Sequence, residues 1–160
     1  MPYLIDGSNL IGHIPNLDFF DSRSKNRLVA QLSIFQAFRK TKVILVFDGP
    51  PDPEITGTNS SRKEFSILWP DPEEDADIVI KRLIDKQTDV RHLYVVSSDR
   101  EIQSFARENR AKVLDCETFH EKLTATLKRY KASRAAKKQD LTLSPLETNH
   151  WLAIFGDSDE

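Results

Sequence analysis

The sequence predicts an α/β domain in which helices cover both faces of a parallel sheet. Short apolar runs of strand length alternate with longer segments whose apolar residues recur at helical spacing. The strand-like runs are apolar at successive positions, as expected for strands that are buried on both faces. The predicted order is β-α-β-loop-β-α-β-α-β-α, and this alternation is typical of a parallel sheet. The chain of 160 residues is long enough for one such domain with its own core.

Five apolar segments predict the strands. The first of them stops at Asp6 and Gly7, an acid followed by a breaker. A polar loop around Gly12 is expected next, and the prolines and polar residues of 50–62 predict a long loop after the second strand. The predicted strands are Leu4–Ile5, Val43–Phe47, Phe65–Trp69, His92–Val96 and Lys112–Leu114.

Four helices are predicted by apolar spacing and by capping residues. The first extends from about Ser24 to Phe38. Cap residues with an acid three positions later predict the starts of the other three, of which one ends near Lys86 and the last frays after Tyr130. These capping pairs are Asp71 with Glu74, Ser98 with Glu101, and Thr118 with Glu121.

The C-terminal segment predicts an additional amphipathic helix. A cap, a proline and an acid at 144–147 predict its start, and Trp151, Leu152 and Phe155 share one helical face. We expect this aromatic face to dock on the domain itself, in a homodimer or on a protein partner. The expected parts are a domain of residues 1–130, a basic linker of residues 131–143, and a docking helix with an acidic tail at residues 144–160.

Charge is unevenly distributed, although the formal net charge is only −2. Residues 71–77 hold five acids and no base, whereas residues 121–140 hold seven bases and two acids. The asymmetry predicts an acidic site and a separate basic surface. An alternative interpretation of the basic stretch is a solvated linker.

The composition gives no indication of a secreted or membrane protein. The sequence contains no apolar run of membrane-spanning length, and the first residues lack the basic region and apolar core of a signal peptide. Cys116 is the single cysteine, which excludes an internal disulfide, and the four histidines are scattered without metal-ligand spacing. We therefore expect a cytoplasmic protein.

Four aspartates are predicted to converge at one edge of the sheet. Asp6, Asp48 and Asp99 each follow a buried strand, and α/β proteins bind ligands at the carboxyl ends of such strands. Asp77 lies near the start of a helix that faces the same edge if the connections are right-handed. Such carboxylates repel one another unless a cation or protons neutralise them, and their oxygens favour Mg²⁺ or Mn²⁺. An ion held in this way suits phosphodiester hydrolysis, because it polarises the phosphate and activates water.

Each acid in this part of the sequence also has a structural interpretation. Asp99 could serve solely as the cap of its helix, with no functional role. Likewise, Asp48 could serve solely to begin a turn. Glu74 fits a capping box, and Asp75 fits a charge that the helix dipole favours. Asp6 is the hardest to explain by packing, because it ends a buried strand before a glycine. The metal-site prediction therefore depends on the coincidence of several acids.

Four short segments carry a specific combination of motifs: Leu4-Ile5-Asp6-Gly7-Ser8-Asn9, Val46-Phe47-Asp48-Gly49, Asp75-Ala76-Asp77 and Val95-Val96-Ser97-Ser98-Asp99-Arg100. Together they resemble the NYN domain, and more closely its YacP-like branch of PIN-fold ribonucleases, over about residues 3–125. The resemblance implies a PIN-like α/β fold and RNA cleavage that depends on a divalent metal. In the YacP-like branch it also implies association with ribosomes.

The resemblance also implies roles for individual residues. Asp6, Asp77 and Asp99 would be the catalytic, metal-binding acids. Asn9 would support them, and Asp48 would be an outer member of the group. Two departures concern the substrate rather than the acids. Position 8 is a serine where YacP-like proteins often carry an aromatic residue, and the loop that begins at position 48 differs in length and composition.

The predicted function is therefore an endoribonuclease that acts on single-stranded RNA, either mRNA or ribosome-associated RNA. Lysines and arginines would contact the RNA phosphates. An alternative is a non-catalytic RNA- or ribosome-binding module on the same fold, which would not need the full acidic set. The predicted RNA contacts are Arg62, Lys63, Arg100, Lys128, Arg129, Lys131 and Arg134.

Two other enzyme classes fail on particular positions. A phosphatase of the haloacid dehalogenase type needs an acid two residues after its nucleophile, where this sequence has Ser8 and Pro50. A dinucleotide-binding protein needs the spacing G-x-G-x-x-G, which Gly7 and Gly12 do not form.

Overall fold

A five-stranded parallel sheet lies at the centre of the protein. The structure, a computed structural model, describes residues 1–56 and 64–138. The strands are β1 (Tyr3–Asp6), β2 (Val43–Val46), β3 (Phe65–Leu68), β4 (Tyr94–Val96) and β5 (Lys112–Leu114). They pair in the order β3-β2-β1-β4-β5, and every pair is parallel. The predicted fold class is confirmed.

Helices cover both faces of this sheet. They are α1 (Gly7–His13), α2 (Ser22–Arg39), α3 (Pro53–Thr56), α4 (Ala76–Lys86), α5 (Arg100–Glu108) and α6 (Cys116–Lys138). The short helix α3 lies inside the predicted long loop, and His92 belongs to a 3₁₀ turn at Val90–His92 instead of opening β4. Within the described ranges, no helix has both the length and the apolar character needed to cross a membrane.

The central strand β1 is buried on both faces, as its uninterrupted apolar sequence predicts. Tyr3 and Ile5 point into the layer that contains Phe35 of α2 and Phe119 of α6. Leu4 points to the opposite layer, where the apolar side chains of α4 and α5 pack. Successive strand residues alternate between faces, so this run needs an apolar residue at each position.

The chain changes direction across the sheet at β1. From β1 it proceeds to β2 and β3 on one side, and then it crosses to β4 and β5 on the other. Connections that leave adjacent strands in opposite directions open a crevice at the carboxyl ends of those strands. The crevice here lies between the ends of β1 and β4, where Asp6 and Ser97 stand.

The residues after β1 form helix α1, so the predicted polar loop is wrong. Asp6 is the helix N-cap, and its carboxylate accepts a hydrogen bond of 3.3 Å from the Asn9 N–H. A Cβ atom at Gly7 would lie 2.9 Å from side-chain atoms of Leu45 and Phe47. The glycine therefore permits close contact between the helix start and β2, where the sequence suggested only a turn.

Three predicted helix starts are also wrong, because an aspartate at another position forms the cap. Asp75 caps α4 by accepting from the Ile78 N–H at 3.0 Å, and Asp99 caps α5. At the start of α6, the carboxylate of Asp115 accepts from the Thr118 N–H at 2.7 Å. A carboxylate is favoured at these sites because it also interacts with the helix dipole. The displaced caps are Asp71, Ser98 and Thr118.

Helix α6 continues to Lys138, so the predicted fraying after Tyr130 is wrong. The expected linker of residues 131–143 accordingly begins inside a helix. Several predictions from the sequence concern residues outside the described ranges and stay predictions. They are the contacts of Arg62 and Lys63, the helix of residues 145–155, and the docking face of Trp151, Leu152 and Phe155.

Candidate active site

Asp6 is a buried carboxylate at the carboxyl end of the central strand. Its side chain is held by the Asn9 N–H and by the hydroxyl of Ser97, which donates to Oδ2 at 3.1 Å. Burial is the main cause that raises its pKa to about 6, and the negative charges of Asp77 and Asp99 also raise it. Three acids that are far apart in sequence therefore act on one another at this edge.

Three further carboxylates lie together beside Asp6. Asp77 belongs to the first turn of α4, Asp99 caps α5, and Glu101 lies in the first turn of α5. One oxygen from each of these three lies within 4.8 Å of the others. We call Asp77, Asp99 and Glu101 the carboxylate group.

The electrostatics of the carboxylate group favour a neutralising partner. The pKa of Asp77 is raised, first by burial and then by the charges of Asp99, Asp75 and Glu101. A raised pKa means that the charged form is disfavoured in this environment. A divalent cation or bound protons would relieve the repulsion.

Ser97 connects the two strand ends that carry the acids. Its side chain is fully buried. The hydroxyl donates to Asp6 and accepts a hydrogen bond of 3.1 Å from the Asp99 N–H. The Gln103 side chain donates to the Ser97 carbonyl oxygen at 2.8 Å. Ser97 thus fixes Asp6 and Asp99 relative to each other.

Asn9 holds the surrounding segments together. Its Oδ1 accepts hydrogen bonds from the Ser98 N–H at 2.7 Å and from the Cys116 thiol at 3.0 Å. Burial raises the pKa of Cys116 to about 11, so the thiol keeps its proton and can donate at neutral pH. Asn9 therefore joins the start of α1 to the β4–α5 turn and the start of α6.

Asp48 lies at the same edge but takes part in a different set of bonds. Its Oδ1 accepts from the N–H groups of Gly49 and Ala76, at 3.0 Å and 3.2 Å. The Asp48 N–H donates to the Ser8 hydroxyl at 2.8 Å. These bonds tie the end of β2 to the start of α4. The structure places Asp48 outside the carboxylate group, and its role as an outer metal ligand stays a prediction.

Lys81 brings a positive charge to the carboxylate group. It lies one turn after Asp77 on α4, and its Nζ donates to Glu101 Oε1 at 2.7 Å. The hydrogen bond to Glu101 raises the pKa of Lys81, and the charges of Asp77 and Asp99 contribute. The ammonium therefore bridges α4 and α5 beside the acids.

The predicted RNA contacts that the structure describes lie in two places. Arg100 is exposed and follows Asp99 directly, at the carboxyl edge of the sheet. Lys128, Arg129, Lys131 and Arg134 lie in the second half of α6. These four helical residues belong to the separate basic surface predicted from the charge distribution, and their contact with RNA stays a prediction.

The family of the chain follows from a comparison with sequence models of known domain families. The sequence model of the YacP-like NYN domain matches residues 3–152. The chain belongs to this family. The match extends beyond the predicted domain end at residue 130 and includes all of α6. Membership implies a nuclease-type domain with an RNA-related function.

Solved structures of a YacP protein share the fold of this YacP-like NYN domain. Rae1 (YacP) from Bacillus subtilis superimposes with a TM-score of 0.75 at 19% identity, over 88% of this chain and 83% of Rae1. The W164L mutant of Rae1 gives a TM-score of 0.70 at 18% identity, over 95% and 91% of the two chains. No curated protein matches the sequence significantly.

The sequence interpretation missed three residues of the NYN domain site. Glu101 was assigned to a capping box, although its carboxylate belongs to the carboxylate group. Lys81 could have been found from its spacing, since a residue four positions after Asp77 shares its helical face. Ser97 gave no signal apart from its place between a buried strand and Asp99.

Proposed function

We propose that this NYN domain is a divalent-metal-dependent endoribonuclease that hydrolyses phosphodiester bonds in single-stranded RNA, either mRNA or ribosome-associated RNA. The observation that carries the proposal is the carboxylate group beside buried Asp6, at the crevice where the strand order reverses. A pure binding module does not require mutually repelling carboxylates at this position.

The donor set suits Mg²⁺ or Mn²⁺. Asp77, Asp99 and Glu101 would hold the ion, with Asp6 beside them, since carboxylate oxygens are the ligands that these hard ions prefer. When bound, the ion supplies charge stabilisation for the phosphate and an activated water.

The residues of the chain orient the acids and hold protons. One carboxylate oxygen of Asp99 accepts from the N–H groups of Glu101 and Ile102, at 2.9 Å and 3.1 Å, which fixes the direction of the other oxygen. Asp6 is fixed in the same manner by Asn9 and Ser97. Burial raises the pKa of Asp6 to about 6 in the metal-free protein, and a cation bound beside it would favour the charged carboxylate again.

Cleavage of a single-stranded RNA pool, with Mn²⁺ or with chelator, tests the function. We expect metal-dependent cleavage that falls by about a hundredfold or more in D77N, D99N and D6N, as when a central electrostatic group is removed. The matched control is D85N, because Asp85 is an exposed acid on the same helix α4. The variants should remain folded by circular dichroism, and D77N and D99N should lose the rise in melting temperature with Mn²⁺. Wild-type cleavage by all three site variants would refute the proposal.

A second candidate is a non-catalytic RNA- or ribosome-binding module. The specific observation in its favour is the concentration of bases on α6, which is compatible with binding alone. RNA binding without cleavage in either metal would favour this alternative. In both cases we place the protein in the cytoplasm and assign the face of Trp151, Leu152 and Phe155 to docking, in a homodimer or on a partner.

A further inference from the structure

We propose that helices α2 and α6 together form an RNA-backbone-binding surface. It lies near the amino ends of the strands, opposite the carboxylate group at their carboxyl ends. The surface, called here the α2–α6 basic surface, consists of Arg39, Lys40, Lys128 and Arg129. This inference rests on the proposed nuclease function and adds a second contact region for the same RNA.

The charge of these two helices supports the surface. Helix α2 contains Arg23, Lys25, Arg27 and Arg39 and has no acid. Helix α6 contains seven lysines and arginines, and its two acids, at positions 117 and 121, lie in its first two turns. By contrast, α4 and α5 on the other face each carry acids and bases in nearly equal number. The excess of positive charge therefore belongs to one helical layer.

Side-chain contacts join the basic ends of the two helices. The rings of Phe38 in α2 and Tyr130 in α6 lie 6.4 Å apart in an edge-to-face arrangement. The guanidinium of Arg129 lies 5.6 Å from the centre of the Phe38 ring. Such stacking orients an arginine and leaves its charge in place. Arg39 and Lys40 follow Phe38 directly, and the guanidinium of Arg39 lies 5.7 Å from the centre of the Phe35 ring.

The four side chains of the α2–α6 basic surface are exposed to solvent. When several lysine and arginine side chains on a rigid framework contact RNA phosphates, counterions are released from the RNA. This release favours binding. Two helices that are distant in sequence but packed together form a stronger case for such a surface than one basic segment. A chain of phosphodiesters is the partner that matches this charge, since its negative charges recur at short intervals.

The course of α6 places this surface far from the carboxylate group. The helix begins at Cys116, which donates to Asn9 at the site. At 1.5 Å per residue, Lys128 lies about 18 Å farther along the helix axis. The chain after α2 enters the amino end of β2 at Val43, so Arg39 and Lys40 also lie at the edge opposite Asp6. An RNA that contacts both regions must therefore span the height of the sheet.

This separation predicts a dependence on RNA length. An oligonucleotide of about three nucleotides is too short to span this distance, whereas one of about thirty can reach both regions. Long RNA should accordingly bind more tightly and be cleaved with a higher kcat/KM than short RNA. The advantage of length should depend on the α2–α6 basic surface.

Charge neutralisation in the full chain tests the surface. The test variant is R39Q/K40Q/K128Q/R129Q, and the matched control is K86Q/R91Q/R107Q/R110Q, which removes four exposed bases elsewhere in the domain. Affinity for the long RNA is measured in chelator by fluorescence anisotropy at several salt concentrations. We expect the dissociation constant of the test variant to rise about tenfold or more and its salt slope to fall by about three, while the control changes much less.

The cleavage assay provides the second measurement. In Mn²⁺, the ratio of kcat/KM between long and short RNA should fall several-fold in the test variant and not in the control. Equal binding by wild type and the test variant, or an equal loss in the control, would overturn the surface. Cleavage with unchanged binding would refute the surface and leave the nuclease standing. Selective loss of binding, without any cleavage by the wild type, would refute the nuclease and support the surface.

Discussion

The hydroxyl of Ser97 lies between Asp6 and Asp99, donating to the carboxylate of Asp6 and accepting from the backbone N–H of Asp99, each at 3.1 Å. The two acids belong to different strand ends and are separated by most of the domain sequence. One buried hydroxyl thus couples the side-chain position of Asp6 to the start of the turn that presents Asp99. A metal ligand set is effective only when its members are held in register.

We therefore expect S97A to weaken binding of Mn²⁺ by about fivefold, since one buried hydrogen bond contributes on the order of 1 kcal/mol. Isothermal titration calorimetry on the purified variant measures this affinity. S104A serves as the control, because Ser104 is an exposed serine on α5. S97T, which keeps the hydroxyl, should recover part of the loss. Unchanged affinity in a folded S97A protein would show that Asp6 and Asp99 keep their positions without this bridge.

The raised pKa of Asp6 predicts how the stability of the metal-free protein depends on pH. The folded state disfavours the charged carboxylate, so the unfavourable contribution is absent below the ordinary value of 3.8 and complete above about 6. Removing this charge in D6N should therefore increase stability relative to wild type as pH rises through that window. The difference should reach at most about 3 kcal/mol near pH 7. Denaturant unfolding of both proteins in chelator, at several pH values, measures it.

Two results would bear on that interpretation. Saturating Mn²⁺ should remove most of the advantage of D6N, because the ion supplies the neutralising charge in the wild type. A difference between D6N and wild type that stays constant from about pH 4 to about pH 7 would contradict it, since titration of Asp6 must then contribute nothing.

The positions of Asp6 and Asp99 followed from the sequence for a physical reason. In a parallel sheet, the residues that directly follow the buried strands all lie at the carboxyl ends of those strands. An acid directly after an apolar run is therefore expected at that end of the sheet. The structure brings Asp77 and Asp99 together, and their charges act on Asp6. The roles of these acids as metal ligands stay predictions.

The N-caps of α4 and α5 could not be predicted, because several neighbouring residues are suited to the same cap position. Asp71, Asp75 and Asp77 all lie close to the start of α4, and only the three-dimensional course of the turn makes Asp75 the cap. Similarly, Glu101 satisfies a capping pattern with Ser98 that the structure does not use. In the structure Asp99 is the N-cap of α5. The carboxylate of Glu101 instead accepts a hydrogen bond from Lys81 and lies in the carboxylate group.

Helix α1 contains two glycines whose surroundings differ, and the sequence alone does not distinguish them. A Cβ at Gly7 would contact Leu45 and Phe47 side chains at 2.9 Å, whereas a Cβ at Gly12 would meet no atom within 4 Å. We expect G7A to reduce the free energy of unfolding by about 1–3 kcal/mol through crowding. G12A should raise it by about 0.5–1 kcal/mol, because alanine favours the helix. Denaturant unfolding of the matched pair measures both changes, and equal effects would contradict the close contact at Gly7.

The ion pair between Lys81 and Glu101 leads to the last prediction. The ammonium is a positive charge held beside the carboxylate group, so it lowers the repulsion among the acids in the metal-free protein. For the same reason it opposes the approach of a divalent cation and competes for Glu101. We expect K81M to bind Mn²⁺ about tenfold more tightly than wild type and to melt at a lower temperature in chelator. Calorimetry and thermal unfolding measure these opposite effects. K86M is the control, since Lys86 is exposed near the end of the same helix. The gain in affinity should disappear in K81M/E101Q, where the released carboxylate is absent. Weaker Mn²⁺ binding by K81M would instead show that Lys81 supports the ligand set by holding Glu101 in place.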